Sequence, residues 1–206
     1  MLSQFSSEQW GMVTATQASR ADVSPVDLSR LVSDGILEPV PDAARVYRFT
    51  TGPEDLELDS LRAAWLQLGG SRTTEERLRE PDAVVSHRSA AHALDLGDLI
   101  PRRHELLVTS RRQPRRQDLR LRIRSRLGSW ALTGGLPVST ATATITDLLD
   151  DDEDESAVAR ICQDALRRGL ITESELVEMA TPHVPRYGAP SAPAMATALA
   201  GALTGR

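Results

Sequence analysis

The sequence predicts a mixed α/β protein in which a small winged helix-turn-helix domain precedes a larger mixed α/β domain. Three observations predict it. Helical and extended patterns alternate, residues 1–52 read as three short helices and a hairpin, and 206 residues exceed the commonest size of one domain. We expect domains at 1–52 and 53–182, and an Ala- and Pro-rich tail at 183–206 that is either a short helix or disordered.

The first domain has its clearest element in the third helix, predicted over residues 24–34. The turn through Ser24 precedes it, Pro25 suits the first helical turn and Gly35 suits the stop. The apolar residues expected to face the core are Val26, Leu28, Leu31 and Val32, and those left outward are Ser24, Asp27, Ser29 and Arg30. This pattern is typical of a recognition helix that enters a major groove. An earlier helix is predicted through SSEQWGM, capped by Ser6 or Ser7.

A wing is predicted after this helix, where ILEPVPDAARVYRFT forms two extended segments around a Pro-Asp turn. Arg45 and Arg48 are then candidates for contact with phosphates or the minor groove. The alternative is a small helical domain that contacts proteins rather than DNA.

The second domain is predicted to alternate helices with short strands. Helices are expected near 55–68, 86–95, 139–150, 156–169 and 173–180, and strands near 105–109, 119–124 and 129–133. In the strand RLRIRSR, Leu121 and Ile123 share one face, and Arg120, Arg122 and Arg124 share the other. Such a row of guanidinium groups can follow a phosphate backbone.

Charge is segregated along the chain although its net value is only −5. Residues 102–126 hold ten arginines against two acids, whereas residues 147–178 hold eleven acids against three arginines. The arginine block predicts phosphate binding, with a solvated loop and strand face as the alternative. Its candidate DNA contacts are Arg111, Arg112, Arg115, Arg116, Arg120, Arg122 and Arg124. The densest acidic run, DDDEDE at 150–155, is expected to be a solvated turn ahead of a helix.

Several classes of protein are excluded or disfavoured by composition. All 24 basic residues are arginine, which excludes the phosphate-binding lysine of a Walker A loop, the lysine of ordinary protein kinases and Schiff-base chemistry. Aromatic residues make up 3%, which disfavours an oligonucleotide-binding barrel. The chain shows neither a signal peptide nor a membrane-spanning run, and its one cysteine, Cys162, is expected to be buried, so a reducing cytoplasm is predicted.

Candidate chemistry is sparse in the second domain. Ser86 and His87 suggest a nucleophile and base, but sequence neighbours are expected to point apart. His87 and His92 are five residues apart, which turns them away from each other on a helix and argues against a metal site. Asp95 and Asp98 near Arg88 leave open a magnesium-assisted phosphoryl transfer. We therefore predict no catalytic residue, no metal and no cofactor.

Two stretches resemble a known family. GMVTATQASRADVSPVDLSRLVSDGILEPVPDAARVYRF and DAVVSHRSAAHALDLGDLIPRRHELLVTSRR are similar to the winged-helix and second domains of AbiEi-type antitoxins of type IV toxin-antitoxin systems. The resemblance spans about residues 10–180. It implies a double-stranded DNA partner at the chain's own promoter, read at inverted repeats, and a nucleotidyltransferase toxin as second partner. It also implies a chain that is monomeric in solution and pairs on DNA, away from any membrane.

Two alternatives stay open beside this resemblance. The antitoxin neutralises its toxin either by binding it or by modifying it, for instance by phosphorylation, and a plain winged-helix regulator is the third reading. The chain departs from the family in its wing, which is less basic than usual, and residues 1–52 carry four arginines against six acids.

Overall fold

A computed structural model describes residue 2, residues 8–112 and residues 116–201, and it confirms a mixed α/β fold with two sheets. The chain divides into two compact units. The first is Met1–Ala83 with Arg112–Leu119, and the second is Val84–Arg111 with Arg120–Arg206. The unit boundaries differ from the expected domain limits, because residues 53–83 group with the winged-helix segment rather than with the second domain.

The first unit has the topology of a winged helix. Its elements are β1 (Met12–Thr14), α1 (Ala15–Arg20), α2 (Pro25–Ser33), β2 (Leu37–Pro39), β3 (Val46–Phe49), α3 (Asp59–Leu68) and α4 (Thr74–Arg79). The three strands form an antiparallel sheet in the order β1-β3-β2, with Val13 opposite Tyr47 and Leu37 opposite Phe49. Val13, Ala18, Leu28 and Leu37 form its core. Burial of these apolar side chains holds α1 and α2 against the sheet.

Of the expected helix through SSEQWGM, Glu8 is helical and the residues that follow it are not. Met12 begins strand β1, and Trp10 and Gly11 have positive φ angles of 55° and 71°. Two successive residues in the left-handed region end a helix, since only one handedness of helix is stable for L-residues. The proposed caps Ser6 and Ser7 lie outside the described residues.

Side-chain hydrogen bonds explain why residues 53–83 belong to the first unit. Gln17 donates from Nε2 to the carbonyl of Arg72 at 2.8 Å, and Arg48 donates to Asp59 at 2.7 Å. The amide of Thr74 donates to the buried side chain of Gln9 at 2.9 Å. Buried polar groups need such partners, so α3 and α4 complete the winged helix rather than begin the next unit.

The second unit is built on a five-stranded sheet. Its first elements are β4 (Ala83–Val85), α5 (His87–Ala93), β5 (His104–Val108), β6 (Leu119–Ile123), β7 (Trp130–Thr133) and β8 (Leu136–Ser139). The strand order is β6-β5-β4-β8-β7, with β4 parallel to β8 and β7 antiparallel to β8. The three expected strands are confirmed as β5, β6 and β7, while β4 and β8 are additional.

Helices complete the second unit around one apolar core. They are α6 (Ala141–Asp150), α7 (Glu155–Arg167), α8 (Glu173–Ala180), a 3-10 turn (Thr181–His183), α9 (Val184–Tyr187) and α10 (Ala192–Ala200). Met195 and Leu199 of α10 are buried in this core with Ile161 of α7. Of the two expectations for the tail, the helix is therefore the one observed through Ala200. Cys162 is buried, as expected, and burial raises the pKa of its thiol to about 12.

Candidate functional site

The outward face of α2 is a stripe of four residues, Val26, Ser29, Arg30 and Ser33, spaced like one side of a helix. Arg30 has 73% of its side chain exposed, and its only ion-pair partner among the described residues is Asp27, at 3.6 Å. The expectation that Val26 faces the core is wrong, because it is 59% exposed, whereas Leu28 is 2% exposed and does face the core. An exposed methyl, hydroxyl and guanidinium on one helix face are groups that read base edges.

Ser24 and Asp27, both expected to be base contacts, are instead occupied by capping α2. The amide of Asp27 donates to Ser24 Oγ at 3.2 Å, and Ser24 Oγ donates to Asp27 Oδ2 at 2.6 Å. These hydrogen bonds hold the pKa of Asp27 below its usual value. The reciprocal arrangement satisfies amides at the helix start, so these two side chains position the helix.

The wing presents one of its two arginines. Arg45 is exposed in the turn between β2 and β3, with a positive φ of 63°. Arg48 is only 12% exposed and donates to Glu38, Glu54 and Asp59. Three carboxylates already neutralise it, which leaves it less available than Arg45 for the expected phosphate contact.

The arginine block is divided between the two units. Arg112 and Arg116 belong to the first unit, where they line a cavity of about 390 Å³ together with Arg45. Both are engaged, since Arg112 donates to Asp82 at 2.7 Å and Arg116 donates to Asp118 at 2.8 Å. Arg111 is exposed, and Arg115 lies outside the described residues. The block is therefore not one continuous electropositive surface.

The arginine row of β6 pairs with acids of the second unit. Arg120 and Arg122 both approach Glu105 Oε1, at 3.4 and 3.0 Å. Arg122 also donates to Asp151 Oδ1 at 2.8 Å, and Arg124 lies 3.7 Å from Asp147. Arg120 and Arg122 share Glu105 as a partner, which agrees with the expectation that the alternating arginines of this strand lie on one face. Its availability to DNA is not supported for Arg122, which is 15% exposed between two carboxylates.

The acidic run at 150–155 precedes helix α7, as expected, but it is not merely a solvated turn. Asp154 caps α7 by accepting from the amide of Ala157 at 3.0 Å. Glu153 is 10% exposed and accepts from Arg88 Nη2 at 2.7 Å. Asp152 pairs with Arg186. The two oppositely charged blocks therefore meet around β6, through Arg122 and Arg124. Glu153 and Asp152 of this turn instead pair with arginines outside the arginine block.

His87 occupies a strained position at the turn from β4 into α5. Its φ is 52°, which is costly for a residue with a side chain, and its side chain is 1% exposed. Nδ1 lies 2.9 Å from Ser86 Oγ and 3.7 Å from Asp147 Oδ2, and Nε2 lies 3.9 Å from Asp151 Oδ2. The expectation that Ser86 and His87 point apart is wrong. Ser86 itself is fully buried, so it is not an accessible nucleophile.

The protonation of this pair is shifted in opposite directions. Burial lowers the pKa of His87 to about 4, helped by Arg122, so the imidazole is neutral at pH 7. Burial raises the pKa of Asp147 to about 6, although Arg124 opposes the rise. Asp147 and Asp151 are four residues apart, a spacing that places them on one side of the helix end and that the sequence analysis overlooked.

A cavity of about 430 Å³ adjoins His87 in the second unit. Its lining includes five arginines, Arg88, Arg102, Arg103, Arg120 and Arg122, and four acids, Glu105, Asp151, Asp152 and Glu153. Arg102 and Arg103 belong to the arginine block but are not among the site residues predicted from the sequence. Their only signal was that they are adjacent basic residues just before a strand.

Other candidate chemistry is not assembled. Asp98 pairs with Arg160 at 2.8 Å, and neither Asp95 nor Asp98 lines the cavity that Arg88 lines. Within residues 8–112 and 116–201, no group of three or more histidine, cysteine or carboxylate side chains is arranged to hold a metal ion. In the same described ranges, none of the helices has both the length and the apolar composition for crossing a bilayer.

Comparisons with known proteins bear on the fold alone. No family model matches the chain, and no curated protein matches it. Among solved structures, the chain is similar to the crystal structure of the Rv2827c protein from Mycobacterium tuberculosis, with a TM-score of 0.53 and 15% sequence identity. The similarity covers 97% of this chain and 78% of that one. The fold of the whole chain therefore has a precedent in that solved structure.

Proposed function

We propose that this chain is a DNA-binding antitoxin that represses its own operon and restrains a nucleotidyltransferase toxin. The observation that carries the DNA-binding part is the exposed stripe of Val26, Ser29, Arg30 and Ser33 on the second helix of a helix-turn-helix. A major groove admits one helix, and a stripe of four residues over two turns is the length that reads base edges. Arg45 in the wing supplies a phosphate contact beside it.

The remaining parts of the proposal are supported by the AbiEi resemblance. The resemblance implies that the DNA site is a set of inverted repeats in the promoter. It also implies that the chain is monomeric in solution, pairs on DNA and acts in the cytoplasm. It also supplies the toxin as partner. Arg48, Arg112, Arg116 and Arg122 are already paired, so the DNA contacts proposed among the described residues are fewer than the sequence predicted. They are Ser29, Arg30, Arg45, Arg111, Arg120 and Arg124, with the helix-capping Ser24 and Asp27 as positioning residues.

Replacement of Arg30 by alanine is expected to weaken binding to the promoter by about 1–3 kcal/mol while leaving random DNA nearly unaffected, because a guanidinium on a base edge carries sequence information. Gel-shift titrations on promoter and random DNA at two salt concentrations measure both affinities. Arg79→Ala is the matched control, since Arg79 is 71% exposed in the same unit but lies on α4.

An equal loss on promoter and random DNA would reduce Arg30 to a phosphate contact and contradict base reading. Arg122→Ala offers a second comparison. Its guanidinium is held by Glu105 and Asp151, so we expect it to change neither affinity by more than about twofold. No selective shift by the wild-type chain at either salt would refute the DNA-binding part of the proposal.

Co-expression of this chain with the proposed nucleotidyltransferase toxin is expected to restore the growth that the toxin alone arrests. Purification of the two chains together then tests for direct binding. Intact mass of the toxin after incubation with this chain, ATP and Mg²⁺ separates the two modes of neutralisation, since phosphorylation adds a defined mass and binding adds none. A toxin that stays active beside this chain would refute the antitoxin part.

A further inference from the structure

The cavity next to His87 carries an excess of positive charge that its own acids do not cancel. Glu105 accepts from Arg120, Arg122 and the amide of Arg88, and Asp151 accepts from Arg122. Glu153 pairs with Arg88 and Asp152 with Arg186. Every acid on the cavity wall is therefore paired with an arginine. Arg102 and Arg103, by contrast, are exposed and have no ion pair among the described residues.

Polar groups at the same wall are left without partners. His87 Nε2 and Arg122 Nε are buried and make no hydrogen bond in the described part of the chain. A neutral imidazole has one donor and one acceptor nitrogen, and with Ser86 on Nδ1 the other nitrogen, Nε2, lacks a partner in either tautomer. A buried donor without a partner costs about 1–3 kcal/mol, and the positive φ of His87 adds strain. Residues that carry such costs cluster at binding and catalytic sites.

We infer that this cavity is a binding site for a small phosphate-bearing anion, held by the guanidinium groups of Arg102, Arg103 and Arg120. Guanidinium is the side-chain group that matches phosphate in charge and in its paired donors. Arg120 keeps 55% of its side chain exposed despite its distant contact with Glu105, so it retains donors for a ligand. His87 lines the cavity, with Nε2 buried behind its wall.

The size and walls of the cavity favour a small ligand over a nucleic-acid backbone. A volume of about 430 Å³ lies in the range of small-molecule sites. A DNA backbone needs a continuous row of unpaired cations, whereas Arg102 and Arg103, which have no ion pair among the described residues, suit one or two phosphate groups. This inference is independent of the proposed DNA and toxin partners, and either can fail without the other.

Isothermal titration calorimetry of the full chain with pyrophosphate, at constant ionic strength, tests the site. We expect saturable one-to-one binding. In the double variant Arg102→Gln with Arg103→Gln, affinity is expected to fall about tenfold or more, because charge-assisted hydrogen bonds are lost. Arg167→Gln is the matched control, since Arg167 is 62% exposed in the same unit and is absent from the cavity wall. We expect its affinity to equal that of the wild type.

Three results would overturn the inference. They are no saturable heat with pyrophosphate, an unchanged affinity in the double variant, and an equal loss in Arg167→Gln, which would indicate attraction to surface charge in general. Titration with adenosine diphosphate identifies the source of the phosphate. Tighter binding than pyrophosphate indicates a nucleotide, and equal binding indicates the phosphate groups alone.

Imidazole nitrogen resonances provide a second readout that a merely structural effect would not move. Saturation with pyrophosphate is expected to shift Nε2 of His87 and to leave the exposed His92 unchanged. Circular dichroism of each variant verifies the fold, and both arginines are exposed, so their replacement is expected to leave it intact. An unshifted His87 at saturation would place the anion away from this cavity and overturn the inference.

Discussion

Arg77→Ala is expected to lower the free energy of unfolding of the first unit by about 3–5 kcal/mol, the largest effect of any substitution considered. Arg77 is fully buried, stacks its guanidinium 3.6 Å from the centre of the Trp65 ring and donates to Asp82 Oδ1 at 2.8 Å. It also donates to the carbonyl of Trp65. Burial lowers its pKa to about 10, so it stays charged at pH 7.

The expected effect is large because Arg77 contacts three groups: the Trp65 ring, the Trp65 carbonyl and the Asp82 carboxylate. Removing it leaves a void beside Trp65 and leaves the Trp65 carbonyl without that donor. Arg77 also packs closely against Gly69, since a Cβ at position 69 would lie 2.5 Å from Arg77 Cδ. Without Arg77, Asp82 still has Arg112 as an ion-pair partner, at 2.7 Å in the wild type, so we expect the loss to lie in the lower part of this range.

Tryptophan fluorescence during urea unfolding measures this effect within the first unit. Trp10 and Trp65 lie in that unit and Trp130 in the other, so a Trp130→Phe background isolates the signal. Arg79→Ala is the control, since Arg79 is exposed on the same helix. We expect it to cost under about 1 kcal/mol. A loss below about 1 kcal/mol for Arg77→Ala would contradict a structural role of the buried guanidinium.

His87→Gln is expected to remove the destabilising contribution that the His87 side chain makes as pH falls from about 6.5 to 4. The folded pKa of His87 is lowered, so in that interval the unfolded chain binds a proton that the folded chain does not. Stability from this group is therefore full above pH 6.5 and declines on acidification. The contribution is at most about 3.5 kcal/mol, because the pKa falls from 6.5 to about 4 and one pKa unit corresponds to about 1.4 kcal/mol.

Asp147 acts in the opposite sense. Its folded pKa is raised to about 6, so between about pH 4 and 6 the folded chain binds a proton that the unfolded chain lacks. This contribution to stability is present at low pH and is lost as pH rises. In the wild type the two effects largely cancel between pH 4 and 6. Asp147→Asn is therefore expected to raise stability at pH 7.5, relative to the wild type, and to gain nothing at pH 4.

Urea unfolding of both variants at pH 7.5, 5.5 and 4 checks this pair of expectations. His92→Gln is the matched control, because His92 is exposed on the same helix α5. Parallel pH profiles of the wild type and His87→Gln would show that His87 titrates normally and would contradict the lowered pKa. Parallel profiles of the wild type and Asp147→Asn would do the same for the raised pKa of Asp147.

Local patterns were sufficient for most elements of the fold. Residues 173–180 and strand 130–133 were expected within a residue of where they lie, because apolar spacing, a capping Thr172 and glycine turns act over short range. Helix α4 and strands β4 and β8 were not expected. They are three to six residues long, and a short apolar run does not distinguish helix from strand.

The candidate site depended much more on tertiary structure. The adjacency of Ser86 and His87 was visible in the sequence, but Asp147 and Asp151 lie some 60 residues away and meet His87 only when α6 packs beside α5. Of the four residues expected on the outward face of α2, only Ser29 and Arg30 belong to its exposed stripe. Val26 faces solvent because Leu28 and Leu37 already fill the core of the winged helix.

By itself, the sequence determined the limits of helix α2, the strands β5, β6 and β7, and the absence of lysine chemistry, since these depend on residue type and local spacing. Tertiary structure alone decided which charges remain available. Arg48, Arg112 and Arg122 are equivalent to Arg30 and Arg103 in sequence, but each packs against a carboxylate that is distant along the chain or across a strand. Charge counts add along a chain, whereas ion pairing depends on separation in space.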